Sequence, residues 1–299
     1  MAEKIGRLFP VGGPVPPDLI IGRAGEVDEL ERRFCEELHT MLVGPRRIGK
    51  TTVCEAVCDR ARRADAAVVT IEVPERPDSR ALLQLIIDRC SRLSHEARGR
   101  RAAQVARPLI EKLLADLGVP LDLSALGSDA VLPTREVLSL PVRLAGAADR
   151  SVLVFFDELQ RVVDYADGDQ LLIDIVDVFS SSRGVSILVD GSEERTLDAM
   201  LGPPAHVAKL CDRLQLDPQI PRGTWREPLR ERFEQAGRRI QADALETLLE
   251  FGDGRPYATM AAARYTALSA RKLDSDRIGD FEVQMGIDEA RRHVADDDV

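Results

Sequence analysis

The chain has 299 residues, 31% charged, 44% hydrophobic and only 4% aromatic, the composition of a helix-rich globular protein with room for one large α/β domain and a smaller one. Its net charge of −10 argues against nonspecific nucleic-acid binding by the chain as a whole. No run of about 18 or more apolar residues occurs, and residues 1 to 17 lack a signal-peptide pattern, so a cytoplasmic protein with no membrane contact is expected.

Residues 1–19 are rich in Pro and Gly and predict an extended arm. Ile20-Ile21-Gly22-Arg23 follows, then a helix with Val27, Leu30, Phe34 and Leu38 on one stripe. Residues 39 to 43 are short, apolar and partly β-branched, as a buried parallel strand should be. The next eight, Gly44-Pro45-Arg46-Arg47-Ile48-Gly49-Lys50-Thr51, read G-x-x-x-x-G-K-S/T, the pattern of a phosphate-cradling P-loop, with Thr52 opening the helix behind it. Glycines at 44 and 49 permit a tight turn that points successive N–H groups into one concavity. That concavity sits at a helix N-terminus, where the macrodipole favours an anion. Lys50 would reach the β- and γ-phosphates, and the Thr51 hydroxyl would ligate Mg²⁺. The plain alternative is a Gly-Pro turn joining a strand to a helix.

The helix after the loop carries Cys54 and Cys58, two of five cysteines (with Cys35, Cys90 and Cys211) that form no CxxC pair. The odd number argues against a disulfide framework, and small buried thiols are expected here, not a zinc site. A second strand is predicted over residues 67 to 73, and helix over 78 to 117 with a break near Gly99. Arg98, Arg100, Arg101 and Arg107 cluster in that segment, as a solvated face or a local basic patch. Residues 118 to 135 read as an irregular insertion, and 134 to 148 as a helix. Strands follow at 151 to 156, 185 to 189 and, shorter, 213 to 216, with a helix at 169 to 182. Strands alternating with helices imply a parallel five-stranded sheet covered by helices on both faces, an α/β P-loop NTPase fold over residues 20–221. No strand signal remains beyond Arg222; helices near 224–237, 241–251, 256–271 and 281–294 predict a small all-helical domain over 222–299.

The third strand ends Phe155-Phe156-Asp157-Glu158. A buried strand that delivers acids at its C-terminal end puts them at the crevice where α/β sheets bind ligands. Asp157 would hold Mg²⁺ together with Thr51, and Glu158 would polarise a water for in-line attack on the γ-phosphate. An apolar strand followed by a helix-capping Asp gives a similar run, but the P-loop upstream weighs against that reading.

Together these motifs resemble the AAA+ and STAND P-loop ATPases, in particular the group of archaeal-type STAND and origin-recognition-like ATPases. Ile21-Gly22-Arg23-Ala24-Gly25-Glu26 resembles the family's hGRxxE box, Asp157-Glu158-Leu159-Gln160 its DEhQ form of Walker B, residues 187 to 192 its sensor-1 strand, and Gly254-Arg255-Pro256 its GxP lid element. The resemblance implies ATP and Mg²⁺ as cofactors, with Gly22, Arg23 and Pro256 near the nucleotide, Ser192 as the sensor-1 group and Arg213 as an arginine acting in trans. Arg183 and Arg195 compete for that last role, and Arg255 is a weaker counterpart of a lid arginine. It further implies a homo-oligomer or a protein or DNA partner, and ATP/ADP as the ligand pair. Family members commonly continue into a target-reading domain; this chain stops about 30 residues after the helix near 256–271, too few for one, so that module is expected to be missing or supplied by a partner.

The leading expectation is an ATPase switch, slow without a partner or oligomer. A DNA-associated loader or transposition-regulator-like ATPase is the alternative, and a scaffold that binds nucleotide without hydrolysis a third. No GxSxG elbow, HExxH or dinucleotide GxGxxG occurs, and the Asp157-Glu158 pair fits an ATPase better than a small-molecule kinase.

Overall fold

Short runs of Val, Ile, Leu and Phe without alternation suit strands buried on both faces. In the computed structural model, which describes residues 2–96, 108, 111–112, 114–116, 132–192 and 207–295, four such runs are strands, and a fifth, polar and mostly exposed strand joins them at one edge. They are β1 (Thr40–Gly44), β2 (Ala67–Glu72), β3 (Val152–Asp157), β4 (Val185–Ser192) and β5 (Asp212–Gln215). They form one parallel sheet in the order β2-β3-β4-β1-β5, so β4 is central, β1 lies between β4 and β5, and the chain crosses over between neighbours. Helices α1 (Ala2–Leu8) and α2 (Ala24–Cys35) precede the first strand, and α3 (Lys50–Arg63), α4 (Ser79–Glu96), α5 (Thr134–Leu138), α6 (Leu140–Ala148) and α7 (Gly168–Ser180) lie between strands. The C-terminal region is helical: α8 (Arg222–Gln235), α9 (Ala242–Gly252), α10 (Pro256–Lys272) and α11 (Asp280–Ala295).

The chain divides into two compact units. The first, Val27–Val43 with Ala56–Gln215, holds the sheet. Its core joins Val69, Val154, Phe156 and Ile187 of the strands to Leu82, Ile86 and Phe179 of the helices. On α2, Val27, Leu30 and Phe34 are buried as the stripe predicted, while Leu38 lies past the helix end and is 36% exposed. His39, just before β1, extends the ladder with its side chain: the Ile187 N–H donates to Nδ1 at 3.0 Å, and the His39 carbonyl accepts the Asp212 N–H at 2.8 Å. The helix expected over 134 to 148 is two helices, broken at Ser139. Pro141, in the first turn of α6, has no N–H to continue the bonding of α5.

The second unit gathers Met1–Glu26, Gly44–Glu55 and Leu216–Val299 around a separate core of Phe9, Trp225, Leu229, Phe233, Leu248 and Ile287. The arm expected to be extended is helical over α1, and Ile5, Leu8 and Phe9 are buried in that core. The Phe9 ring lies 4.8 Å from that of Phe233, centroid to centroid. Between the helices, β6 (Arg239–Ile240) and β7 (Arg277–Ile278) pair in parallel. Two residues per strand are too few to leave a periodicity, and an all-helical reading passes over them.

Candidate nucleotide-binding site

Gly44 ends β1, and α3 begins at Lys50, so the loop between is the strand-to-helix turn the motif needs. Lys50 is 9% exposed, and its Nζ donates to the carbonyls of Gly44 at 3.0 Å and Pro45 at 2.8 Å. The ammonium therefore sits inside the curve of its own loop, where phosphate oxygens would exchange with those carbonyls. The first intrahelical bond runs from the Val53 N–H to the Gly49 carbonyl at 3.0 Å. The N-terminal end of such a helix suits an anion. Thr52 is buried, and its Oγ1 accepts the Val15 N–H at 3.1 Å, tying residues upstream of the box to the head of α3. Arg46 and Arg47 are exposed; Arg47 is left-handed, with φ of 64°, and its guanidinium lies 4.3 Å from the centroid of the Tyr257 ring.

The GRxxE spacing has a direct physical reason here. Arg23 is buried, and Nη1 pairs with Glu26 Oε1 at 2.8 Å, one helical turn on. Its Nη2 donates to the carbonyls of Ile48 in the phosphate loop at 3.2 Å and Asp217 at 2.7 Å. One guanidinium thus fixes the loop to the chain segment that leads into α8. Gly22 has φ of 68°, and a Cβ there would lie 2.4 Å from Ile220 Cγ2; only glycine fits. Gly254 has φ of 74° and closes on the Ile220 carbonyl in the same way.

These contacts shape an open cleft. Arg23, Ile48, Gly49 and Thr52 line it from the box and the loop, and Pro256 from the start of α10. The remaining wall is apolar: Val15, Ile21, Ile220, Trp225 and Met260. Arg232 also lines it; Nη2 donates to the Leu19 carbonyl and Nη1 contacts Met260 Sδ at 3.6 Å. Burial lowers the pKa of this guanidinium, and the Asp18 carboxylate opposes that shift. Apolar walls meeting a phosphate loop match the two halves of a nucleotide, a flat base and an anionic tail. Trp225, Arg232 and Val15 were not singled out in the sequence; their part depends on neighbours distant in the chain, as with Val15 and Thr52 or Arg232 and Leu19.

In the sheet unit, Asp157 ends β3, and Glu158 follows with φ of 59°. A non-glycine residue held left-handed directly after a buried strand is a local strain of the kind found at functional sites. Glu158 is half-buried and its carboxylate accepts from Gln160 Nε2, so the fourth residue of the DEhQ element orients the second. The Glu158 N–H donates to Asp190 Oδ1 at 3.4 Å. Asp190 is 2% exposed and lies opposite Asp157 in the β3–β4 register, while Glu72 lies opposite it on β2. The three acids share one register across neighbouring strands, though no group of three or more His, Cys, Asp or Glu among the described residues is arranged to hold a metal ion. Asp190 entered the sequence reading only as part of the element 187 to 192, with no role of its own; its place opposite Asp157 comes from strand register.

Of the other expected residues, Ser192 is the last residue of β4. Arg213 is exposed on β5, with Nη2 donating to Gln215 Oε1 at 3.0 Å. Arg183 is exposed before β4, and Arg255 is the exposed N-cap residue of α10. Arg195 and the cluster Arg98, Arg100, Arg101 and Arg107 lie outside the described residues. Cys54 and Cys58 are buried on α3 as expected.

Among solved structures, a Walker-type ATPase of Pyrococcus abyssi is similar at 17% identity with a TM-score of 0.65, the match covering 96% of this chain and 76% of that one. The Aeropyrum pernix ORC2 protein in its ADP form is similar at 17% identity and a TM-score of 0.64, over 97% of this chain and 73% of that one. The ORC1 protein of Aeropyrum pernix, solved in complex with DNA, gives 17%, 0.59, 97% and 69%. At such identities the likeness is one of fold. No curated protein sequence matches. The AAA ATPase domain family matches residues 19–190, from just before the GRxxE box through the β4 acid. That span exceeds half of the chain, and the protein belongs to the AAA ATPase domain family.

Proposed function

We propose that the protein is a Mg²⁺-dependent ATPase whose nucleotide cycle drives a conformational or assembly switch, within the STAND and origin-recognition-like group of this family. The observation that carries the reading is the Arg23 bridge to the Ile48 carbonyl, by which the GRxxE box and the phosphate loop line one cleft with Pro256. The loop of residues 44–51 and Thr52 would hold the phosphates, Lys50 giving up its loop carbonyls for them. Thr51 and Asp157 would hold Mg²⁺, which supplies charge neutralisation at the β- and γ-phosphates. Glu158, oriented by Gln160, would accept a proton from the attacking water. Ser192, joined by Asp190, would act as the polar sensor, and Arg213, Arg183 or Arg195 would come from a neighbouring copy.

Nucleotide binding, turnover and molar mass by light scattering, with ATP and with ADP, test this reading on wild type, Lys50→Ala and Glu158→Gln. Glu158→Gln should bind ATP while turnover falls by about 100-fold or more, and its mass should differ between ATP and ADP. Lys50→Ala should lose binding. Unchanged turnover in Glu158→Gln would favour a scaffold that hydrolyses nothing, and a mass indifferent to nucleotide would sink the assembly role.

A further inference from the structure

Arg47 occupies the middle of the phosphate loop in a left-handed conformation that glycine adopts freely and a residue with a Cβ does not. Its side chain is exposed, yet it reaches over the Tyr257 ring at 4.3 Å from the centroid, well inside cation–π range. Tyr257 is half-buried and directly follows Pro256, and the next residues, Ala258 and Thr259, are buried in the first turns of α10. The ring is therefore carried on fixed backbone, while the loop beneath Arg47 is not regular structure. A guanidinium attracted to a ring face keeps the planar N–H edge by which arginine grips phosphate oxygens.

We propose that Tyr257 is a positioning residue for the nucleotide. Its ring face holds the Arg47 guanidinium, and with it the left-handed turn of the phosphate loop, so that a second fixed cation stands with Lys50 at the phosphate end of the cleft. The inference rests on the P-loop reading above and adds a consequence for the ligand: the extra cation favours a triphosphate over a diphosphate. It also joins the phosphate loop to α10 through one contact, independently of the Arg23 bridge.

Calorimetric titration with ATP and with ADP tests this on wild type, Tyr257→Ala, Tyr257→Phe, Arg47→Ala and the double variant Arg47→Ala with Tyr257→Ala. Arg47→Ala and Tyr257→Ala should each weaken ATP by about fivefold and ADP by less. The double variant should be no weaker than the worse single one, because both remove the same contact. Tyr257→Phe keeps the ring face and should stay within about twofold of wild type. A general loosening of the fold would weaken ATP and ADP alike, and that result would overturn the proposal. So would additive losses in the double variant, Tyr257→Phe as weak as Tyr257→Ala, or Tyr257→Ala binding ATP as wild type does. Wild type that binds neither nucleotide would instead overturn the P-loop reading, and this proposal with it.

Discussion

At the start of β1 the His39 imidazole accepts the Ile187 N–H at Nδ1, which makes Nε2 the protonated nitrogen, facing the Phe179 carbonyl. Burial holds the pKa of this ring below its ordinary 6.5, and the bond to Phe179 opposes the shift only in part. A second proton would have to go on Nδ1, where the Ile187 N–H already points. A folded-state pKa below the unfolded one means that the stabilisation is complete above about pH 6.5 and is lost as pH falls through the folded value. Denaturant titrations at about pH 7.5 and about pH 5 should therefore show wild type losing stability, and His39→Gln losing less of it over the same interval. Equal losses in the two proteins would remove His39 from the account. Single positions were legible in the sequence where a motif fixes their chemistry, as at Lys50, Arg23 and Asp157. Asp190 and Trp225 were not, since their importance comes from strand register and from packing, which no short window of sequence contains.

Among the elements, the sheet was the most legible, because buried parallel strands are continuous apolar runs bounded by polar turns. The seven residues of α1 were not. So short a helix has little stability alone, and Pro and Gly downstream of it give the segment the composition of a loop. Docking forms it: Ile5, Leu8 and Phe9 complete the core of the unit that contains the phosphate loop. Phe9 is fully buried against Phe233, and Phe9→Ala should cost about 3–5 kcal/mol of stability in urea, with the cavity as the cause. A cost below about 1 kcal/mol would mean that α1 is not a working part of that core. The Ser139 break has the opposite lesson. Pro141 was visible, and its consequence for the preceding turn follows from its missing N–H alone.

For the molecule as a whole, the Pro and Gly arm, the phosphate loop and the C-terminal helices belong to one unit assembled from three separated stretches. A ligand that binds the loop therefore bears on residues from both ends of the chain. Anything that binds the folded state alone stabilises it by mass action, about 2.7 kcal/mol at 100 times Kd. Thermal unfolding with ATP or ADP should move upward by several degrees in wild type, and the shift should vanish in Lys50→Ala. A shift that survives in Lys50→Ala would place the nucleotide elsewhere. Non-local assembly of this kind explains why the sequence disclosed the glycine loop better than the cleft beside it: eight consecutive residues make the former, and walls drawn from residues 15 to 260 make the latter.

The apolar wall of the cleft has one further property. Trp225 is the only tryptophan in the chain, and it is 2% exposed in the wall of the cleft. All indole emission of the protein therefore originates at a single address beside the phosphate loop. The molecule carries an intrinsic optical probe of that cleft, so its occupancy can be followed in the unlabelled wild-type chain.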